Sequence, residues 1–280
     1  MKESTMKNFN NKIALITGAG SGIGQATALE LSRRGSELWL VDINEAGLED
    51  TAKQIQASGG RCHTRVCNVG SSTDMKKLAK RVHDTHPALD ILINNAGIGV
   101  AGRFVDTSLK TWNKVLDVNV KGVMLGCHLF APNMIKQGSG HIVNVASAAA
   151  FIAAKDMPVY SMSKSAVLGF SESLRADLHE YGIGVSAVCP GIINTPIVAN
   201  SVFEGKIGQS DTVKNKAVEF YKKRNYTADK VALGIIDAIE HNLAVRPISP
   251  EAWAMYWAKR WVPGVVDWLG RKDIPFMAAD

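Results

Sequence analysis

The chain has 280 residues, 46% apolar and 21% charged, with a net charge of +6; this length suits one large domain or two small ones, and the composition excludes disordered, fibrous and disulfide-dense classes. No stretch approaches the roughly 18 uncharged apolar residues of a membrane span; the best run, AAAFIAA, is far too short. The basic clusters Lys76-Lys77, Lys80-Arg81 and Lys222-Lys223-Arg224 fall on amphipathic helical patterns and read as solvated faces, so no nucleic-acid partner is expected.

The opening MKESTMKNFNNK is polar and lacks the apolar core of a signal peptide, so a cytoplasmic location is expected. KIALITG then reads as a buried strand, followed by a helix through SGIGQATALELSRRG. ELWLVD is a second strand, and a polar helix runs from Asn44 to about Ala57. RCHTRVCNV is a third strand, DMKKLAKRVHDTH a helix and DILINNAG a fourth strand. A long helix is expected from about Ser108 to Lys136, then the strand HIVNVAS, a helix from about Pro158 to Tyr181, and the strand GVSAVCPG. Strands alternating with helices predict an α/β protein, a doubly wound Rossmann fold whose central parallel sheet is flanked by helices on both faces. No linker or repeat divides it, so residues 1–250 form one domain.

The first strand-to-helix junction, Thr17-Gly18-Ala19-Gly20-Ser21-Gly22-Ile23-Gly24, carries the first chemistry. Glycines let the backbone turn tightly and approach a pyrophosphate at the N-terminus of the helix. The second strand ends at Asp42, 18 residues after Gly24 (42 − 24 = 18). A carboxylate there can accept hydrogen bonds from an adenosine ribose and repels a 2′-phosphate, and neither position 21 nor 43 offers Arg or Lys. NAD(H) is favoured over NADP(H); the competing structural role for Asp42 is a cap on the next helix. Further on, Tyr160 and Lys164 stand four apart in MPVYSMSKSAVLGF, on one face of a helix. A phenol titrates near ~10, and a neighbouring ammonium is expected to lower that value and tune the pair for alcohol/carbonyl proton transfer.

Together these residues make the chain resemble the short-chain dehydrogenase/reductase family, from about Lys12 to Thr195. The TGxxxGxG turn matches Thr17 to Gly24, NNAG matches Asn94-Asn95-Ala96-Gly97, the active-site asparagine matches Asn119 in LDVNVKG, and the serine matches Ser147, 13 residues before the tyrosine (160 − 147 = 13). YxxxK matches Tyr160 and Lys164, and the downstream PG matches Pro190-Gly191, followed by Thr195. The resemblance implies that Tyr160 passes the proton to or from the substrate oxygen, which Ser147 orients. Lys164 lowers the phenol pKa and holds the nicotinamide ribose, and Asn119 holds a water connecting Lys164 to solvent. The cofactor set implied is Gly18, Ser21, Gly22, Ile23, Gly24, Asp42, Asn68, Val69, Asn95, Ala96, Gly97, Tyr160, Lys164, Pro190, Gly191, Ile193 and Thr195, with the backbone at Ile193 and Thr195 anchoring the carboxamide. Asn68-Val69 departs from the family's Asp-Val; the asparagine oxygen can still accept from the adenine amino group. Val167, Phe170, Leu174 and Leu178 repeat at helical spacing, and in related proteins this helix builds a subunit interface, so a homodimer or homotetramer is implied.

Other residues are read as structural. Cys62 and Cys67 point to opposite faces of a strand, no CxxC pair occurs, and reduced thiols are expected. His63 hints at a metal, but the sequence shows no second ligand cluster, so no metal is expected. His128 reads as packing, and Ser147 lacks the GxSxG elbow and histidine base of a hydrolase. Residues 196–227, mixing Ile197, Val198, Val202 and Phe203 with charge, read as a substrate lid suited to a lipophilic small molecule. The tail at 251–280 carries Trp253, Trp257, Trp261 and Trp268; packing on the domain is ranked first and weak membrane-surface contact second. The function expected is an NAD(H)-dependent oxidoreductase interconverting a secondary alcohol and a ketone. The rivals are an NADP(H)-dependent carbonyl or 3-oxoacyl reductase and a non-catalytic NAD-binding module.

Overall fold

The computed structural model describes residues 5–209 and 211–272. Seven parallel strands make one sheet: β1 (Ile13–Thr17), β2 (Glu37–Asp42), β3 (Arg61–Val66), β4 (Ile91–Asn94), β6 (Gly140–Val145), β7 (Ile183–Pro190) and β9 (Val245–Ile248), in the order β3-β2-β1-β4-β6-β7-β9. The helices between them, α1 (Gly22–Arg33), α2 (Glu45–Ala57), α3 (Ser72–His83), α4 (Leu109–Leu116), α5 (Gly122–Gln137), α6 (Pro158–Leu178), α7 (Asp211–Arg224) and α8 (Ala228–Glu240), cover both faces or cap the strand ends. The doubly wound arrangement expected from the alternating pattern is the one found.

Period-two side-chain alternation divides the core into two layers. In β1, Leu15 faces one layer with Phe130 and Val82, while Ala14 and Ile16 face the other with Leu31, Leu48 and Ile235. The first layer is closed by α3, α5 and α6, the second by α1, α2 and α8. Each fully buried Leu, Ile or Phe in these layers contributes roughly 1.5–3 kcal/mol. Helix starts are set locally: the side chains of Asn44, Ser71 and Ser108 accept from the amides of Gly47, Asp74 and Thr111.

Four features go beyond the sequence reading. The long helix at 108–136 is broken: α4 ends at Leu116, a π turn spans Asp117–Lys121, and α5 follows with Pro132 inside it. The region 196–227 contains β8 (Val202–Phe203), which pairs with β5 (Val100–Ala101), and the helix α7. The seventh strand, β9, has only four residues, including Arg246 and Pro247; on the sheet edge its proline forfeits no inner ladder bond. In the stripe Val167, Phe170, Leu174 and Leu178, Val167 and Leu178 are buried in the chain's own core, while Phe170 and Leu174 pack against it half-buried.

The C-terminal segment forms α9 (Pro250–Trp261) and α10 (Pro263–Gly270). The expected interruption at Pro263 is present. Packing runs through Ala252, Met255 and Tyr256, with half-buried Trp253 edge-on to Tyr256 at 5.7 Å, and Tyr256 meets Phe151 edge-on at 5.3 Å. Trp257, Trp261 and Trp268 are exposed. No helix among the described residues is long and apolar enough to cross a membrane.

Candidate active site

The strand order reverses between β1 and β4, which opens a crevice at their C-terminal ends. Both glycine-bearing motifs lie there. Thr17 Oγ1 accepts from the amides of Asn95 and Ala96, each at 3.0 Å. Asn95 Nδ2 donates to the carbonyls of Thr17 at 2.9 Å and Gly18 at 3.3 Å. Its side chain thus sews the end of β4 to the glycine turn. Gly18 sits at φ +69, and a Cβ there would come within 2.7 Å of Asn95 Nδ2. A Cβ on Gly24 would lie 2.0 Å from the Gly18 carbonyl oxygen, so α1 approaches the turn as closely as backbone allows. Ser21, the N-cap, makes no side-chain cap bond, and the first turn of α1 has no acidic residue; its amides and the positive end of the helix dipole can meet a phosphate.

Asp42 closes β2 beside this turn. Its Oδ2 accepts from the Gly20 amide and its Oδ1 from the Asn44 amide, both at 2.9 Å. The cap of α2 is Asn44 itself, so Asp42 is not serving as that cap. Asn68 is exposed, and its Oδ1 accepts from the Gly70 amide at 3.0 Å; a second lone pair on that oxygen can still serve an adenine. The Val69 side chain is buried against Gly122, leaving only its backbone for a ligand. The cradle of glycines, the helix terminus and the single carboxylate fit a dinucleotide.

The catalytic candidates converge from β6, the π turn and α6. Lys164 is 4% exposed, and its Nζ donates to the Val145 carbonyl at 2.9 Å. Burial pushes its ammonium from 10.5 down to about 8. The Nζ lies 5.8 Å from the centre of the Tyr160 ring. Tyr160 hydrogen-bonds with Ser147, which lowers the phenol pKa, but loss of water around the hydroxyl outweighs this and holds it above its ordinary value. The sequence argument expected Lys164 to depress that phenol; in the protein alone, burial governs both groups. Ser147 Oγ also accepts from the Ala149 amide at 3.1 Å.

Asn119 is fully buried in the π turn, an irregularity common at functional sites. Its Oδ1 accepts from the Ile98 amide at 2.8 Å, while its Nδ2 donates to the Ile98 carbonyl at 3.0 Å and to Ser163 Oγ at 3.1 Å. A Cβ added to Gly97 would lie 3.3 Å from Asn119 Oδ1 and 3.5 Å from Lys164 Nζ, which places all three together. The Asn119 amide is thus tied to the Ile98 backbone and to Ser163 next to Lys164.

The loop after β7 completes the site. Gly191 is pressed against α9's entry: a Cβ would lie 2.4 Å from Ser249 Oγ and 2.5 Å from Glu251 Oε1. Ile193 is buried in the core, leaving only its backbone for a ligand. Thr195 stands over Gly22, whose Cβ would reach Thr195 Cβ at 3.3 Å. Beside it is a cavity of about 300 Å³ lined by Thr195, Pro196, Val198, Ala199, Val218 and Tyr221 among others.

Two contributors escaped the sequence reading. Glu251, in the C-terminal segment, accepts from the Ile192 amide at 2.9 Å and from Arg224 Nη2 at 2.6 Å. It ties the loop after β7 to the last turn of α7, and these bonds hold its carboxyl below the usual range despite burial. Tyr221, from α7, is pushed above its ordinary pKa by burial and by the nearness of Tyr160 and Glu251. No motif flags either residue, since each is placed by tertiary packing of segments remote in sequence.

A family model described as short chain dehydrogenase matches residues 12–204. A protein named "Probable oxidoreductase EphD" from Mycobacterium tuberculosis (strain ATCC 25618 / H37Rv) is 40% identical over 266 residues, covering 91% of this chain and 44% of that protein. The chain therefore spans less than half the length of that relative. Cyclohexanol dehydrogenase of Acinetobacter sp. (strain SE19) is 36% identical over 223 residues, 75% of this chain and 88% of that enzyme. The crystal structure of a short chain dehydrogenase/reductase from Burkholderia phymatum in complex with NAD has a TM-score of 0.84 at 28% identity, covering 96% of this chain and 98% of that one.

Proposed function

The chain belongs to the short chain dehydrogenase family, oxidoreductases that bind a nicotinamide cofactor, and on that premise we propose that it is an NAD(H)-dependent enzyme interconverting a secondary alcohol and a ketone on a lipophilic small molecule. The observation that carries this reading is the convergence of Ser147, Tyr160 and Lys164, backed by Asn119, beside the glycine turn. Bound there, the dinucleotide would exchange hydride with the substrate carbon and, when oxidised, bring a positive charge toward the phenol.

Tyr160 is the acid/base: its hydroxyl gives a proton to the ketone oxygen or takes one from the alcohol. Ser147 holds the same oxygen. Lys164, already close to neutral-pH titration, can pass a proton on, with Asn119 fixing the backbone of Ile98 at its side. The Gly18–Gly24 turn would take the pyrophosphate, Asp42 the adenosine ribose, Asn68 and Val69 the adenine, and Asn95 to Gly97 the wall of the ribose pocket. Pro190, Gly191, Ile193 and Thr195 would position the carboxamide. Asp42 supports NAD(H), and so does the NAD complex of the Burkholderia relative. The apolar lining from Pro196, Val198, Ala199 and Val218, and the likeness to a cyclohexanol dehydrogenase, support a cyclic or otherwise lipophilic substrate.

In the same reading, residues 1–250 are one domain with a lid at about 196–227, and 251–280 pack on it as an extension that braces the lid through Glu251. The part of that extension beyond Lys272 lies outside the described residues. A homodimer or homotetramer in the cytoplasm is proposed, with membrane-surface contact through the outward tryptophans a minor mode. The test is Tyr160→Phe, assayed with NAD and cyclohexanol. Turnover should fall by roughly 10²–10⁴ while the NADH dissociation constant, read by fluorescence, stays within about twofold. Near-normal turnover would remove Tyr160 from the chemistry.

A further inference from the structure

At the opposite end of the sheet from the catalytic crevice, three side chains meet that lie far apart in sequence. Glu37 opens β2, His63 sits in β3 level with Trp39, and His86 lies in the turn between α3 and β4. Glu37 Oε1 is 3.1 Å from His63 Nε2 and 3.3 Å from His86 Nε2, and the three ligand atoms lie within 4.8 Å of one another. We infer that Glu37, His63 and His86 form a binding site for one divalent cation of the Zn²⁺ class.

The spacing carries the inference. With metal–ligand bonds of about 2.0–2.1 Å, the edge of a coordination tetrahedron is about 3.3–3.4 Å, close to both measured separations. Two imidazoles and one carboxylate form a borderline-soft donor set that suits Zn²⁺ or Co²⁺ better than Mg²⁺ or Ca²⁺. The rings are held in place by Trp39, which stacks on His63 with centroids 4.6 Å apart and meets His86 edge-on at 6.2 Å.

The plainer reading, an imidazole paired with a carboxylate, accounts for His63 but not for His86. His86 Nε2 is cut off from solvent and makes no hydrogen bond among the described residues, although the carboxylate oxygen is 3.3 Å away. A nitrogen near an oxygen but not aimed at it fits two ligands pointing at a shared third atom. Arg61 Nε approaches the other oxygen, Oε2, at 3.3 Å and also donates to Asn11. It orients the carboxylate as an outer-shell partner and lowers affinity through its charge. The fourth coordination position is left for water.

Such an ion would join the sheet-edge strand β3 to its neighbour and to the turn entering β4. It would act on stability, since Asp42 lies five residues along β2 from Glu37, about 17 Å at strand rise.

The experiment is titration of chelator-treated, untagged full-length protein with Zn²⁺ by calorimetry, and with Co²⁺ by visible absorption. Expected are one ion per chain, the intense d–d bands of tetrahedral cobalt, and a Tm raised by roughly 5 °C at a hundredfold excess over Kd. His86→Gln and Glu37→Gln should each weaken binding by more than the roughly 10–100-fold typical of outer-shell losses, with alcohol oxidation unchanged. Zinc binding of wild-type strength in either variant, or cobalt spectra of an octahedral hydrated ion only, would overturn the proposal. If one variant fails to fold, the other decides. The metal readouts do not depend on the dehydrogenase reading.

Discussion

Lys164→Met should make the ligand-free protein more stable at pH 7 while destroying the proposed activity. Holding a buried ammonium at about 8 instead of 10.5 corresponds to roughly 3 kcal/mol of burial penalty at neutral pH. Methionine keeps a flexible stem of similar reach. The substitution deletes the hydrogen bond from the ammonium to the Val145 carbonyl, a loss of about 1.5–3 kcal/mol. The balance favours the variant by up to about 1.5 kcal/mol, or a Tm higher by up to roughly 5 °C. The pH dependence fixes the sign independently. The folded pKa lies below the unfolded one, so between about 8 and 10.5 the unfolded state binds the extra proton and wild-type stability rises with pH. The variant's advantage is therefore full at pH 7 and shrinks towards pH 10. Urea unfolding of both proteins at the two pH values measures it. A variant less stable than wild type at pH 7, or a difference that does not change with pH, would refute the reasoning.

The charge at Asp42 should set cofactor choice. Asp42→Ala is expected to weaken NADH about 10–100-fold, as loss of a charged acceptor would, and to leave NADPH nearly unaffected; an unchanged preference in parallel fluorescence titrations would contradict this. Glu251→Ala should cost about 1–3 kcal/mol of stability and raise KM for the alcohol, because the loop from Gly191 to Thr195 loses its tie to α7. Glu251→Gln, which keeps an acceptor for the Ile192 amide, should recover part of both; equal KM values for Ala and Gln would detach Glu251 from the loop.

Much of the fold was legible because its strands and helices carry strong periodicity. KIALITG carries the unbroken apolar run Ile13–Ile16 and HIVNVAS a mostly apolar one interrupted by Asn144, as suits β1, β4 and β6, which lie mid-sheet and are covered on both faces. What stayed hidden was short or interrupted. β9 is four residues with a proline, and it is a strand only because β7 offers an open edge. The break at Asp117–Lys121 leaves no sign in the sequence pattern, since a π turn keeps helical periodicity on either side. The tryptophan spacing correctly indicated one helical face, but not which way it points. Tyr256 and Ala252, less conspicuous, are the residues that pack.

The proximity of the candidate residues was legible in the sequence; their energetics were not. Residue spacing shows that Tyr160 and Lys164 share a helix face, yet the sign of a pKa shift depends on dielectric, which only the fold determines. In water an ammonium at this range would pull a phenol down; buried together, both groups pay desolvation, so the phenol rises and the ammonium falls toward about 8. Both are then driven toward their neutral forms. A pair in that condition can exchange a proton with little change in net charge, which is easier in a low-dielectric crevice than creating a lone phenolate. The sequence shows that the two side chains share a helix face; their burial supports the proton relay proposed for them.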